Sequence, residues 1–341
     1  MTGGGRVAYL LGPERIEWRN QAIPVPGRGE ALLRVGAAVT CGTDLKVFLQ
    51  GGHARMLRPP SPFGHEVAGT IAALGAGVEA WREGDRVAVA NSAPCGSCRP
   101  CQEGRENLCS DLLYLNGAFA DWLLIPARFV ERSLHRCPET LPFALAALAE
   151  PLACVLHGRE LCALRPGRRV LVLGAGPLGL LWTGTLAAEG HQVLLADPNP
   201  ARLEIGRIFG AHSTIQVERE SVAPQLTDFD AAIDCTASAS GFETCLRALD
   251  PGGVLCVFAG PQSGTEARVN LRELHYGERR IVSAYHYRPP DYASALERIA
   301  AGSLPVEELV SATLPLRDLE DALRRMMDRR ALKVALVPDL G

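Results

Sequence analysis

The sequence predicts an α/β protein of two domains, one a doubly wound parallel sheet and the other rich in short β strands. Three observations carry that reading. At 341 residues the chain is long for a single core, and 47% hydrophobic residues are ample for two. From about Arg168 onward, short apolar stretches alternate with helical ones, the pattern of a parallel sheet covered on both faces. Before about residue 145, glycine and proline turns separate the apolar stretches, which suits an irregular, partly barrel-like β domain.

In chain order, the β-rich part supplies EALLRVGAAV (30–39), VAGTIAAL (67–74), DRVAVA (85–90) and FADWLLIP (119–126) as strands. The second part supplies RRVLVLG (168–174), HQVLLAD (191–197), STIQV (213–217), FDAAIDC (229–235), GGVLCVFAG (252–260) and RIVSAYHY (280–287). PLGLLWTGTLAAEG (177–190) and ARLEIGRIFGA (201–211) read as helices between them. After Pro289 and Pro290 the pattern gives helices over 292–302 and 319–330, then a last strand, LKVALVP (332–338).

Composition excludes several partners. With 35 basic against 38 acidic residues the net charge is −3, so no global positive field invites nucleic acid or anionic membranes. No segment approaches the roughly 20 consecutive apolar residues of a membrane helix, and MTGGGRVAYLLGPER lacks the layout of a secretion signal. Eleven cysteines, an odd number, fit a reducing compartment with metal ligands better than a disulfide framework. The expectation is a soluble, cytoplasmic protein. Lys46 and Lys333 are the only lysines, a bias that reads as coding composition.

Cys95, Cys98, Cys101 and Cys109 lie within PCGSCRPCQEGRENLC, close enough in sequence to close around one tetrahedral ion. Four thiolates leave no position for water or substrate, so such a site is a structural zinc site. The ferredoxin pattern of an iron–sulfur cluster has three residues and then proline around its fourth cysteine, whereas here the last gap is seven and Ser110 follows. A nucleic-acid-binding ribbon needs a basic surface, and Glu103, Glu106 and Asp111 offset Arg99 and Arg105.

Gly174, Gly176 and Gly179, with Pro177 and Leu178 between the last two, form a G-x-G-x-x-G directly after a strand and at the start of a helix. The first glycine permits a tight turn, the second a close backbone approach to pyrophosphate, the third close helix–strand packing. Asp197, 21 residues after Gly176, ends the next strand, where a carboxylate accepts from a ribose 2′-OH and repels a 2′-phosphate. This is a Rossmann dinucleotide site that favours NAD over NADP. Arg202 nearby either softens that exclusion or is a solvated helix residue.

A second set of ligand-type residues is scattered: Cys41 in TCGTDLK, His65 and Glu66 in FGHEVAG, and Glu150 in AEPLACVLHG. Spacing alone does not join them. The stretch G-H-E-V-A-G (64–69) followed by Gly75 and Val78 resembles the zinc signature of the medium-chain dehydrogenase/reductase superfamily. The tetrad resembles that family's structural zinc loop, and GAGPLG its cofactor loop. C-G-T-D (41–44) and E-P-L (150–152) are most similar to the polyol branch, which includes sorbitol and L-threonine dehydrogenases.

The resemblance implies a GroES-like catalytic domain built from both chain ends around an inserted Rossmann domain. The expected spans are 1–147 with a zinc lobe at 91–112, then 148–287 as the Rossmann domain, then a return over 288–341. It implies two zinc ions per chain, the catalytic one held by Cys41, His65 and Glu150, with water, substrate or Glu66 completing the shell. Thr43 then relays the substrate proton, and Asp44 orients His65. The implied reaction is reversible oxidation of a secondary alcohol of a polyol, cyclitol or amino-sugar, with L-threonine as the alternative substrate. The implied assembly is a homodimer or homotetramer, and a catalytically silent NAD(H)-binding protein is disfavoured because Cys41, His65 and Glu150 are all present.

One departure stands out. Relatives often carry histidine at the position of Lys46, which here can take the released proton, grip a polar substrate, or do nothing chemical. His53 and Arg55 can recognise hydroxyls, a phosphate or a carboxylate, or simply be solvated. Cys137, Cys154, Cys162, Cys235, Cys245 and Cys256 read as small core or helix residues.

Overall fold

The structure is a computed structural model that describes residues 4–53, 55–218 and 226–339. The chain divides into two compact units, one of Met1–Glu150, Arg288–Ala301 and Val306–Gly341, the other of Pro151–Tyr287 and Gly302–Pro305. The first division falls after Glu150, later than the expected 147, and so groups Glu150 with the β-rich unit.

The elements up to the division are β1 (Gly4–Gly12), β2 (Arg15–Ala22), β3 (Ala31–Val39), α1 (Gly42–Gln50), β4 (Glu66–Leu74), β5 (Arg86–Val89), β6 (Trp122–Ile125) and β7 (Leu134–Arg136). Helix α2 (Ala149–Cys162) follows. The second unit contains β8 (Arg169–Leu173), α3 (Pro177–Ala188), β9 (Gln192–Asp197), α4 (Pro200–Ile208), β10 (Ser213–Gln216), β11 (Phe229–Asp234), α5 (Ala239–Arg247), β12 (Leu249–Val257) and β13 (Arg280–Ser283). The chain then returns to the first unit with α6 (Pro289–Ala300), β14 (Val310–Pro315), α7 (Leu319–Met327) and β15 (Lys333–Val337).

In the first unit the main sheet has the order β7-β5-β4-β3-β15-β14, and β6 also pairs with β3. Its register matters for chemistry. Val39 at the end of β3 faces Glu66 on one side and Ala335 on the other, so late and early segments of the chain meet beside Cys41. β3 is buried along most of its length and β4 over its first half, and both contribute to a core where Phe63 and Phe119 meet edge to face, with ring centres 5.3 Å apart. The β1–β2 hairpin, which the sequence pattern did not reveal, is polar and mostly exposed along β2.

The second unit is a six-stranded sheet, order β10-β9-β8-β11-β12-β13, with every pairing parallel. The order reverses between β8 and β11, which stay paired to their last residues, and such a switch point is where doubly wound sheets bind dinucleotides. α3 is buried along most of its length, and Trp182 on it meets Phe258 edge to face at 5.2 Å. β13 is shorter than the expected 280–287: it stops at Ser283, and the left-handed backbone of His286 (φ 60°) cannot continue an extended strand. The helix expected from 292 already starts at Pro289, because proline suits the first helical turn, where its missing N–H costs nothing.

Gly75 shows why the 64–75 region tolerates no side chain there. A Cβ at Gly75 would lie 1.6 Å from the Gly27 carbonyl oxygen, a backbone atom that cannot swing away. Gly75→Ala is therefore expected to cost about 2–4 kcal/mol and to lower Tm by roughly 5–10 °C in a thermal melt. An unchanged Tm would show that the two segments are not held this closely.

Candidate active site

Cys41 is the N-cap of α1: its sulfur accepts the Thr43 N–H at 3.4 Å, and its own N–H donates to Asp44 Oδ2 at 2.8 Å. The other Asp44 oxygen, Oδ1, accepts from His65 Nδ1 at 2.9 Å, with both side chains at most 4% exposed. An ionised carboxylate only accepts, so Nδ1 carries a hydrogen and Nε2 is the nitrogen that a cation can claim by displacing its proton. One carboxylate thus fixes a thiol and an imidazole, the orienting arrangement that metal-binding histidines require. Burial alone would depress the His65 pKa, but Asp44 and the Cys41 sulfur outweigh it and hold it well above the ordinary value.

The ligand atoms of Cys41, His65 and Glu66 all lie within 4.8 Å of one another. Sulfur, nitrogen and oxygen donors in that space fit one zinc ion. Both Glu66 oxygens, however, accept from Lys333 Nζ at 2.7 Å, and the same ammonium donates to the Thr40 carbonyl at 2.9 Å. Lys333 opens β15, and the strand is locked there by Thr40, whose N–H donates to Val334 O at 3.0 Å and whose Oγ1 accepts from Val334 N at 2.9 Å. Burial works against the Lys333 charge, and Glu66, with Cys41 and Glu150 adding to it, outweighs burial and holds the lysine pKa above its ordinary value.

Glu150, in the first turn of α2, is buried but is not one of that close trio. It still lies within electrostatic reach of His65, Glu66, Lys333 and Asp44. Burial pushes its carboxyl up to about 7; His65 and Lys333 draw it down, while Glu66 and Asp44 push it further up. A cation arriving beside it would return it to the ionised form. Thr43 and Lys46 are half-exposed on α1, and His53 and Arg55 follow its end in the loop that returns to His65.

The four cysteines of the 95–109 loop also converge, all within 4.8 Å. Cys98 Sγ is 3.4 Å from Cys101 Sγ and 3.7 Å from Cys109 Sγ. Zn–S bonds of ~2.3 Å in a tetrahedron put sulfurs ~3.8 Å apart, so the loop is already shaped for the ion. Backbone N–H groups of Cys95, Cys98 and Asp111 donate to these sulfurs at 3.3 Å, and a short ladder pairing Ser92 with Tyr114 and Ala93 with Leu113 closes the loop at its base. Burial pushes the Cys101 thiol up to about 12, so four thiolates cannot coexist without a cation among them. Arg99 and Arg105 both pair with Glu103, and Asp111 pairs with Arg128, which neutralises the charge that a nucleic-acid surface would need.

In the second unit Gly174 (φ 103°) follows β8, and Gly176 caps α3, whose first residue is Pro177, followed by Leu178. A Cβ at Gly179 would lie 1.8 Å from Gly174 O, so only glycine fits, whereas a Cβ at Gly176 would meet nothing within 4 Å. That open face at a helix N-terminus fits a pyrophosphate. Asp197 at the end of β9 accepts from Ala175 N at 2.7 Å and Asn199 N at 2.8 Å, one bond to each oxygen, so each keeps a further lone pair. Arg202 is half-buried in the first turn of α4. Asp234 and Thr236, joined through Asp234 Oδ1 at 2.7 Å after β11, stand at the same carboxyl edge, and the sequence reading did not single them out.

Lys333 is the other residue the sequence reading passed over, and the available signal was a lone lysine opening an apolar strand. Lys333→Met should destabilise the protein by about 3–5 kcal/mol, because it leaves the buried Glu66 charge unpaired. Adding Glu66→Gln should restore most of that loss in a urea titration. A double variant no more stable than the single one would show that the two side chains do not act as a pair.

Two family models match the chain. One, described as an alcohol dehydrogenase GroES-like domain, matches residues 27–136, and the other, described as a zinc-binding dehydrogenase, matches residues 177–301. L-galactonate-5-dehydrogenase of Escherichia coli (strain K12) is 29% identical, over 92% of each chain. Sorbitol dehydrogenase of Bacillus subtilis (strain 168) is 29% identical, over 95% of each chain. Among solved structures, a zinc-binding dehydrogenase of Sinorhizobium meliloti 1021 bound to NADP superimposes with a TM-score of 0.90 at 26% identity, covering 99% of this chain and 100% of that one. With both family models in the expected places, and with these relatives along nearly its whole length, the chain belongs to the polyol branch of the zinc-dependent medium-chain dehydrogenase/reductase superfamily and is an enzyme that acts on alcohol groups.

Proposed function

We propose that the chain is a zinc- and NAD-dependent dehydrogenase that reversibly oxidises a secondary alcohol of a polyol, cyclitol or amino-sugar to a ketone. The observation that carries this reading is the Asp44 clamp, which holds Cys41 and His65 together with Nε2 turned to a ligand's use. Relatives named for sorbitol and L-galactonate support a polyhydroxylated substrate.

Cys41, His65 and Glu150 would hold the catalytic ion, and the tetrad a second, closed one. Glu150 is the better carboxylate for this purpose, since Lys333 already engages both oxygens of Glu66. When bound, zinc supplies the Lewis acidity that brings an alcohol's pKa toward neutrality, and the nicotinamide supplies the hydride acceptor. The chain's own work is to hold and relay. Asp44 orients the imidazole, Lys333 keeps both oxygens of Glu66 engaged, and the Thr43 hydroxyl both accepts and donates, as passage of the substrate proton requires.

The β-rich unit is then catalytic and the parallel-sheet unit binds the dinucleotide. Asp197 supports NAD over NADP, with Arg202 as a neighbour of either. Eleven free cysteines support a cytoplasmic setting. Among the described residues, no helix is long and apolar enough to cross a membrane. The edge position of β13, with Ile281 38% exposed on it, supports pairing of copies into a homodimer or homotetramer.

A screen at 340 nm with NAD and NADP against polyols, amino-sugars, cyclitols and L-threonine tests the activity, with metal analysis expected to give about two zinc ions per chain. Cys41→Ser should keep the fold and the tetrad ion yet lose at least about a thousandfold in turnover. Full turnover in that variant would remove Cys41 from the ligand set. Asp197→Ser should shift the kcat/KM ratio toward NADP by roughly tenfold, since it removes the charge that repels a 2′-phosphate. An unmoved ratio would assign cofactor choice to another residue.

A further inference from the structure

Glu150 stands apart from the close trio of Cys41, His65 and Glu66, and the donors nearest to it are different ones. Its carboxylate, the Cys154 sulfur and a His286 ring nitrogen all lie within 4.8 Å of one another. The sequence reading placed Cys154 among small helix residues and His286 in a strand, and neither has a part in the proposed reaction. Two features of the fold build this second trio. The division between the units falls inside α2, just after Glu150, so the helix itself holds Glu150 beside Cys154, four residues on. The same stripe of α2 continues through Gly158 to Cys162, and the segment 280–286 runs along it. Arg280 Nη2 donates to the Cys162 carbonyl at 3.2 Å, and a Cβ at Gly158 would lie 3.2 Å from Ala284 Cβ. His286, two residues past Ala284, meets the stripe at Cys154.

The backbone and a neighbour aim the imidazole. His286 adopts φ 60°, a left-handed angle that is unfavourable for a residue with a Cβ, and such strain collects at ligand sites. The buried Tyr287 ring lies against it, with ring centres 4.1 Å apart and planes 32° apart. Thiolate, imidazole and carboxylate are a zinc-type donor set, since the first two disfavour magnesium and calcium. Bonds of ~2.0–2.3 Å at tetrahedral angles separate donors by ~3.3–3.8 Å, so modest side-chain rotation closes the trio on one ion. A fourth position is left for water, and the Cys154 thiol proton is released as the ion binds.

We infer that Glu150, Cys154 and His286 form an additional zinc position, and that an ion there draws Glu150 from the catalytic ion and lowers turnover when zinc is in excess. The inhibition rests on the dehydrogenase reading, in which Glu150 serves the catalytic ion. The binding does not.

The test starts from enzyme dialysed until it holds about two zinc ions per chain. Added zinc should bind as a third equivalent, and added cobalt should enter the same position and bring a thiolate-to-cobalt absorption band. Cys154→Ser should abolish that band and weaken the third ion by about a hundredfold or more. His286→Asn should weaken it comparably, since asparagine tolerates the left-handed backbone but removes the imidazole. Circular dichroism and the zinc retained after dialysis check that each variant is folded. With an alcohol that the enzyme oxidises, excess zinc should cut wild-type turnover by about tenfold or more, while both variants keep full turnover in the dialysed state and resist the excess. No third ion, no thiolate band, or a third ion held equally by both variants would overturn the site. Turnover lost by both variants in the dialysed state would overturn it too, by placing the pair in the catalytic set. A third ion bound through both side chains without loss of turnover would overturn the inhibition alone. Turnover of no alcohol in the panel would sink the dehydrogenase reading and the inhibition with it, while the binding measurement still decides the site.

Discussion

One carboxylate organises the catalytic end of the β-rich unit. Asp44 closes the first turn of α1 against Cys41 and at the same time takes the His65 ring hydrogen. The two bonds leave its side chain no freedom, so the thiol and the imidazole inherit a fixed separation from a helix cap. Caps are normally local devices that satisfy orphan N–H groups. Here the cap also carries tertiary information, because His65 arrives from 21 residues further on. The fold therefore prepares the ligands before any ion arrives, which keeps the reorganisation on binding small.

Behind that clamp lies a buried ion pair. Glu66 and Lys333 are each at most 1% exposed, and a pair at that depth contributes little net stability compared with apolar packing. What the pair supplies is position. It keeps a carboxylate close to the thiol and imidazole yet already engaged, and its ammonium fastens β15 to the Thr40 carbonyl, next to Cys41. The geometry of β3 does the rest: with β4 on one side and β15 on the other, side chains remote in sequence meet at one strand end.

Much of this was legible in the sequence, for identifiable reasons. The parallel sheet announces itself through apolar runs of strand length, and the turn at Gly174–Gly179 through glycines, of which Gly174 needs its left-handed backbone and Gly179 leaves no room for a Cβ. The tetrad is legible because its ligands are local. Cys41, His65, Glu66 and Glu150 could be joined only by resemblance, since the contacts that unite the first three depend on sheet register, which periodicity does not encode. Lys333 was hidden for the same reason: its partner lies 267 residues away, and a single lysine before an apolar strand looks like a solvated end. The strand expected to run to 287 stops at Ser283, and the left-handed angle at His286 beyond it is a local choice that side-chain pattern does not specify.

The span from Glu66 to Lys333 also sets an order of maturation. On the ribosome, the cysteine loop at 95–109 has every ligand within a short stretch and can capture its ion as soon as that stretch emerges. The catalytic end cannot: until Lys333 is synthesised, Glu66 has no counter-charge and Cys41 has no neighbouring strand on that side. A chain stalled before that lysine would carry one metal centre complete and the other unfinished, and would be a shaped but inert intermediate exposed to proteolytic quality control.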